Sequence, residues 1–356
     1  MKKLDEIELL RKLCLLFGPS GCEGAVSEFI SEEIKDCCDS LKKDRLGNII
    51  AHIGSGSRKK IMLSAHMDEV GFMVTEVTDE GYLKFDTVGG IDNRVLSGKN
   101  VSVETKDGTV EGVIGSKPIH LKKSDEREKV PKTSSLYIDI GLSSKEGASD
   151  LGIDVGSYAT FSSEFYEFGK DGGKIKGKAL DDRLGCAVLI LLMRELYGIR
   201  DTLPYDLYFC FTVREEIGIS GAQVAAQTIM PDMAIVLETT AVADIAGTKD
   251  SAKVAIQGEG GAISLMDRST IYDRPMVDAL LAIAGRENIP VQIKKYVSGG
   301  NDASHIHKSG VGVRTLALSA PTRYLHSPAC VVDKEDYFSM IKLLSALLVS
   351  DVLAAI

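Results

Sequence analysis

The stretch Tyr205–Gly218, YDLYFCFTVREEIG, decides the fold. Its apolar run, Leu207 to Phe211, leads directly into two adjacent carboxylates, Glu215 and Glu216. An uninterrupted, aromatic-rich run ended by charge and glycine predicts a parallel strand covered on both faces. In open α/β sheets, ligands and chemistry collect beyond the carboxyl ends of such strands. On an extended backbone neighbouring side chains leave in opposite directions, so one glutamate can bind a cation while the other moves a proton. Alone, a Glu-Glu pair after a strand is more often a solvated loop. Its meaning depends on what other strands deliver to the same edge.

Several do. In RKKIMLSAHMDEVGFMV, residues Ile61 to Ala65 read as a strand feeding His66 and Asp68. The His-x-Asp spacing matters because a metal-binding imidazole needs an acceptor on its other nitrogen to fix the tautomer. DMAIVLETT is a further buried strand ending at Glu238, and GVGVRTLALSAPTRYLHSP is one whose exit loop carries His326. KIKGKALDDRLGCAVLILLMREL places Asp181 and Asp182 where a strand turns into a helix, a position that helix capping alone would explain. Imidazole and carboxylate without thiolate form the donor set that zinc and similar divalent ions prefer. The donors suffice for two ions. Without cations, carboxylates ~4 Å apart would repel by about 4 kcal/mol per pair at an effective dielectric near 20.

The remaining features place this edge in a larger molecule. At 356 residues, 44% hydrophobic and 26% charged, the chain is long enough for a sizeable core or two domains. A formal charge of −9 without any basic run excludes a general nucleic-acid binder. Seven cysteines without CxxC spacing suit reduced thiols and a cytoplasmic location, with Cys37-Cys38 read as helix filling. The start, MKKLDEIELLRKLCLLFG, reads as an amphipathic helix because charges interrupt its leucines, and no run is long enough to span a membrane. In the following turn, GPSGCEG, Ser20 either accepts a backbone N–H or is a plain turn residue.

From Glu69 to Phe168 short alternating runs separated by Gly, Asp and Asn predict a small β-barrel or sandwich. We read residues 69–168 as a domain inserted into an α/β domain of residues 1–68 and 169–356. KPIHLKKSDEREKVPKTSS inside it reads as a mobile loop, with His120 at the surface. His305 and His307 point about 200° apart on a helix and so cannot serve one ion; pocket lining or helix surface is expected. Arg268 and Arg323 either receive an acidic group of the substrate or form structural salt bridges.

HMDEVGFMV, KALDDRLG, REEIGISGA, VLETT, GGNDASHIH and PTRYLHSP occur in the order found in the dinuclear aminopeptidases that build tetrahedral particles. The chain resembles that family over essentially its whole length; the family includes glutamyl aminopeptidases and proteins once labelled cellulase M. The resemblance implies a mixed, mostly parallel sheet flanked by helices, zinc-exopeptidase-like, with a PDZ-like inserted barrel that dimerises. It implies removal of N-terminal residues from short peptides, and homo-oligomers in which dimers assemble into a dodecamer. Carried over residue by residue, it gives His66, Asp181 and Glu238 to one divalent ion, and Asp181, Glu216 and His326 to the other. The ions would be zinc, with cobalt or manganese as alternatives, sharing a bridging water. Glu215 would be the general acid/base and Asp68 would orient His66. Glu238 replaces the Asp of many relatives, and Asn301 stands where GGTDA is commoner. Glycoside hydrolysis is the alternative activity, but it needs two carboxyls facing across a sugar and usually an aromatic floor, and the chain has no Trp. The preference for an acidic, basic or apolar first residue stays open at this point.

Overall fold

The computed structural model describes residues 4–297 and 299–356, without the side chains of Asp125 and Glu126. In chain order the strands are β1 (Ser40–Lys43), β2 (Ile49–Ile53), β3 (Lys60–His66), β4 (Gly71–Val77), β5 (Leu83–Val88), β6 (Asn100–Thr105), β7 (Gly108–Ser116), β8 (Leu136–Asp139) and β9 (Tyr158–Phe161). They continue as β10 (Tyr166–Phe168), β11 (Lys174–Gly177), β12 (Asp206–Thr212), β13 (Met233–Ala241), β14 (Gly261–Ile263), β15 (Val291–Ile293), β16 (Arg314–Arg323) and β17 (Cys330–Asp333).

The run read first, now β12, lies parallel to β3, with Asp206–Thr212 in register with Lys60–His66. On the other side of β3 come β13 and then β16, both parallel. Burial on both faces of these strands is what makes their sequences uninterrupted apolar runs. The full order is β1-β2-β12-β3-β13-β16-β17-β11-β10, with β14 on β16 and β15 on β14. The flanking pairs β2–β12, β16–β17, β11–β17 and β10–β11 are antiparallel, so the sheet is mixed around a parallel centre. The helix Leu180–Leu196 is apolar almost all round because it packs against β3 and β13 while the helices Glu6–Leu15 and Lys334–Val349 cover it.

Between β3 and β10 the strands close into a barrel in the order β4-β5-β8-β7-β6-β9. It has its own apolar core, in which Phe72 meets Phe85 and Phe161 edge-on at 5.1 Å. One boundary differs from the sequence reading. Within SYATFSSEFYEF only Tyr158–Phe161 belongs to the barrel, whereas Tyr166–Phe168 pairs with β11 at the edge of the large sheet. Alternation identifies a strand but not its partner. Cys37 and Cys38 also fall beyond the helix Gly24–Ile34 instead of filling it, and all seven cysteines are free. Among the described residues no helix is long and apolar enough to cross a membrane.

Candidate metal centre and active site

Three parallel strands and two junctions bring their ends to one cavity of about 430 Å³. β3 ends at His66, whose Nδ1 lies 3.1 Å from the carbonyl oxygen of Asp68. A carbonyl only accepts, so Nδ1 carries a proton and Nε2 is turned toward the carboxylates. There it stands 3.3 Å from Asp181 Oδ1 and 3.9 Å from Glu238 Oε2. His326 repeats the arrangement. Its Nδ1 lies 2.6 Å from the carbonyl oxygen of Gly90, on the loop after β5, and its Nε2 is 3.2 Å from both Asp181 Oδ2 and Glu216 Oε1. Asp181 therefore offers one oxygen to each imidazole.

Local backbone geometry aims these groups. The Asp181-Asp182 peptide is cis, and Ala179 before it is left-handed. Arg214 (φ 60°) and His326 (φ 56°) are also left-handed, a conformation rare outside glycine and enriched at functional sites. Glu215 and Glu216 lie in a turn, not on the extended backbone the sequence suggested. Their N–H groups both donate to Asp68, at 3.0 and 3.1 Å. The turn can close onto the following helix because residue 221 is glycine; a Cβ there would lie 2.2 Å from the Val213 carbonyl oxygen.

The electrostatics match a cation site. Burial works against charging the His326 imidazole, yet Asp181 and Glu216 push its pKa up to about 11. For His66 burial again opposes charge, and the neighbouring carboxylates of Asp181, Asp68 and Glu238 outweigh it, so its pKa stands well above the usual value. Burial would raise Asp181, but the two imidazoles hold it well below the carboxylate range. Burial pushes Glu215 well above that range, with Glu216, Asp302 and Asp68 adding to the effect against the pull of His66. Glu238 is raised well above it too, chiefly by burial. Asp181 Oδ1 and Glu216 Oε1 are buried without a hydrogen-bond partner. Buried acceptors grouped around imidazole nitrogens are what a divalent ion satisfies. Donor atoms of His66–Asp181–Glu238, of Asp181–Glu216–His326 and of His66–Glu215–Glu216 each lie within 4.8 Å of one another.

The structure thus gathers all seven residues singled out from the sequence, while others fall elsewhere. His305, on the short helix Ala303–Ile306, and His307, just after it, bond locally to Ser304 and to the Ala303 carbonyl, outside the cavity lining. Arg323 is bound by Asp244 at 2.6 and 2.7 Å, and Arg268 is exposed. Asn301 lines the cavity and donates to the Tyr272 hydroxyl at 3.0 Å. Four supports were not anticipated in these roles. Ser20 donates its hydroxyl to Asp68 instead of accepting a backbone N–H, and the Gly90 carbonyl comes from the inserted barrel. Asp302 takes the hydroxyls of Ser64 (2.9 Å) and Thr212 (2.6 Å) beneath the site. Lys294 lines the cavity. Only Asp302, inside the GGNDASHIH motif, carried any sequence signal.

A buried acid–imidazole cluster at the carboxyl edge of a parallel sheet, with a carboxylate set between two histidines, marks the class of α/β metallohydrolases. Residues 47–343 match the family described as M42 glutamyl aminopeptidase. The chain is 38% identical to a putative aminopeptidase of Acetivibrio thermocellus over 97% of its own length and 98% of that protein. A TET aminopeptidase from a marine sediment archaeon of the Thaumarchaeota superposes with a TM-score of 0.93 at 35% identity, covering 96% and 95% of the two chains. The TET1 peptidase of Pyrococcus horikoshii, which can assemble into a tetrahedron or a large octahedral shell, gives 0.86 at 37% identity over 97% and 99%. This chain belongs to the M42 glutamyl aminopeptidase family. It is an aminopeptidase, a hydrolase of peptide bonds, and divalent metal use comes with the family.

Proposed function

We propose that the protein removes N-terminal residues from short peptides at a dinuclear centre. In this reading His66, Asp181 and Glu238 hold one ion, and Asp181, Glu216 and His326 the other. The observation that carries it is Asp181, placed between two imidazoles with an oxygen toward each. A pair of divalent ions, zinc before cobalt or manganese, would lower the pKa of a water and polarise the scissile carbonyl. Asp181 and Glu216 would each lose an unpaired buried oxygen to coordination. Burial raises the pKa of Glu215, as suits a group that takes a proton and returns it to the departing amine. Asp68 keeps the Glu215 turn and the His66 ring in register.

For the first residue we favour an acidic side chain. Among the described residues lining the cavity, Lys294 is the basic group besides His326. Glycoside hydrolysis gains no support from a site whose carboxylates stand against imidazoles. The inserted barrel would be the dimerisation domain of a large homo-oligomer, a dodecamer by likeness to its relatives, and the free thiols suit a cytoplasmic setting.

The test is a panel of amino-acid amides with Zn²⁺, Co²⁺ or Mn²⁺ added, alongside a cellulose substrate. Hydrolysis that requires metal and favours Glu over Leu and Lys is expected. Lys294→Met should lower the Glu-to-Leu ratio about tenfold while Leu turnover stays. Sugar release that survives chelation would reverse the whole assignment.

A further inference from the structure

The loop Gly18–Glu23 touches the catalytic edge on one side and the barrel on the other. On the inner side Ser20 is buried, and its hydroxyl donates a hydrogen bond to Oδ2 of Asp68. Asp68, fully enclosed, takes the N–H of Glu215 on Oδ1 and the N–H of Glu216 on Oδ2. Glu23, from the same loop, accepts the N–H of Arg214 at 3.2 Å and that of Gly21 at 2.8 Å. Three successive amides, those of residues 214 to 216, are thus captured by two carboxylates. This capture holds the left-handed Arg214 turn from which both glutamates project.

The loop itself is pinned in place. The loop and Glu69 exchange backbone bonds, with Ser20 N–H to the Glu69 carbonyl and Glu69 N–H to the Gly18 carbonyl, each at 3.1 Å. Buried Arg183 also donates to the Gly18 carbonyl at 3.3 Å. On the outer side Pro19 packs on Gly71 of β4 so closely that a Cβ there would lie 2.7 Å from it. The Tyr158 hydroxyl of β9 covers Gly21 in the same way. The loop cannot move outward without displacing the barrel.

A carboxylate inside a protein keeps its orientation only while its lone pairs are matched. Oδ1 of Asp68 already faces His66 Nδ1 at 3.4 Å, outside good hydrogen-bond range. Without the Ser20 hydroxyl, Oδ2 keeps one amide alone, and the group is released to swing toward that imidazole. We propose that Ser20 is a positioning residue for the reaction. Its hydroxyl sets the carboxylate of Asp68, and through it the place where Glu215 stands. The proposal rests on Glu215 being the proton carrier, and its test has one readout that does not.

Ser20→Ala, Ser20→Gly and Ser20→Thr are compared with the parent, together with Asp68→Asn alone and combined with Ser20→Ala. Loss of the hydroxyl is expected to lower kcat about tenfold with KM and bound metal unchanged, and Ser20→Thr to recover most of it. In metal-free protein the amides of Glu215 and Glu216 should exchange hydrogen about tenfold faster in Ser20→Ala, read by mass spectrometry of that peptide. The double variant should be no slower than Asp68→Asn by more than about twofold, because both changes break one chain of contacts. An unchanged kcat, unchanged amide exchange, or losses that multiply in the double variant would each overturn the proposal. A parent protein inert on every peptide would sink the aminopeptidase assignment instead and leave amide exchange to judge Ser20.

Discussion

The two bodies of sheet are stabilised in opposite ways. The barrel buries Phe72, Val74, Phe85, Val101, Ile138 and Phe161 against one another, and among the described residues of its strands no charged side chain is buried. The carboxyl edge of the large sheet buries His66, Asp68, Asp181, Asp182, Glu238 and Asp302 side by side. Apolar burial of the first kind stabilises by about 25 cal/mol per Å² removed from water. Clustered carboxylates of the second kind are unfavourable until imidazolium or metal cations balance them. The barrel therefore reads as a part built to hold shape, and the edge as a part held in place by what surrounds it. They meet at the Gly90 carbonyl, which fixes the His326 ring from the barrel side.

That contrast can be broken most sharply at Glu215. Glu215→Gln is expected to lose about 10²–10⁴ of turnover while metal content and melting temperature hold, because it removes the proton carrier and keeps the shape of the side chain. Near-normal turnover in this variant would remove the role assigned to the residue. The reverse experiment is Phe72→Ala in the barrel. It should cost about 3–5 kcal/mol of stability from the cavity left between Phe85 and Phe161, with metal stoichiometry unchanged. Equal damage to metal binding would show that the two bodies are not separable in this way.

A finer probe uses protons. With His326 raised to about 11 and His66 shifted the same way, the surrounding carboxylates favour charged imidazoles in the metal-free chain. Ligation requires them neutral, so metal binding should release roughly one proton per imidazole and weaken as pH falls. Calorimetry in buffers of different ionisation enthalpy measures this release. Binding without it at pH 7 would contradict the pairing of imidazoles and carboxylates described above.

Much of this was legible beforehand. Strand ends followed by His66, Glu215-Glu216 and Glu238 could be read one by one, because double-sided burial writes itself as an apolar run and chemistry follows where it stops. The barrel's short alternating runs were equally plain, although the assignment of Tyr166–Phe168 to it was wrong, since a period of two does not name a partner. Ser20 and Gly90 escaped for a different reason. Ser20 meets Asp68 across 48 residues, and Gly90 meets His326 across 236. No local pattern encodes such an encounter.

The chain alone determined which donors exist, that no thiolate is among them, and that they follow strands. Tertiary structure decided that Asp181 stands between two imidazoles, that Glu215 and Glu216 sit in a turn captured by Asp68 and Glu23, and that a barrel carbonyl orients His326. The reason is physical. Propensity and burial act over a few residues and leave a periodic trace, whereas a hydrogen bond between distant segments depends on where the whole fold brings them.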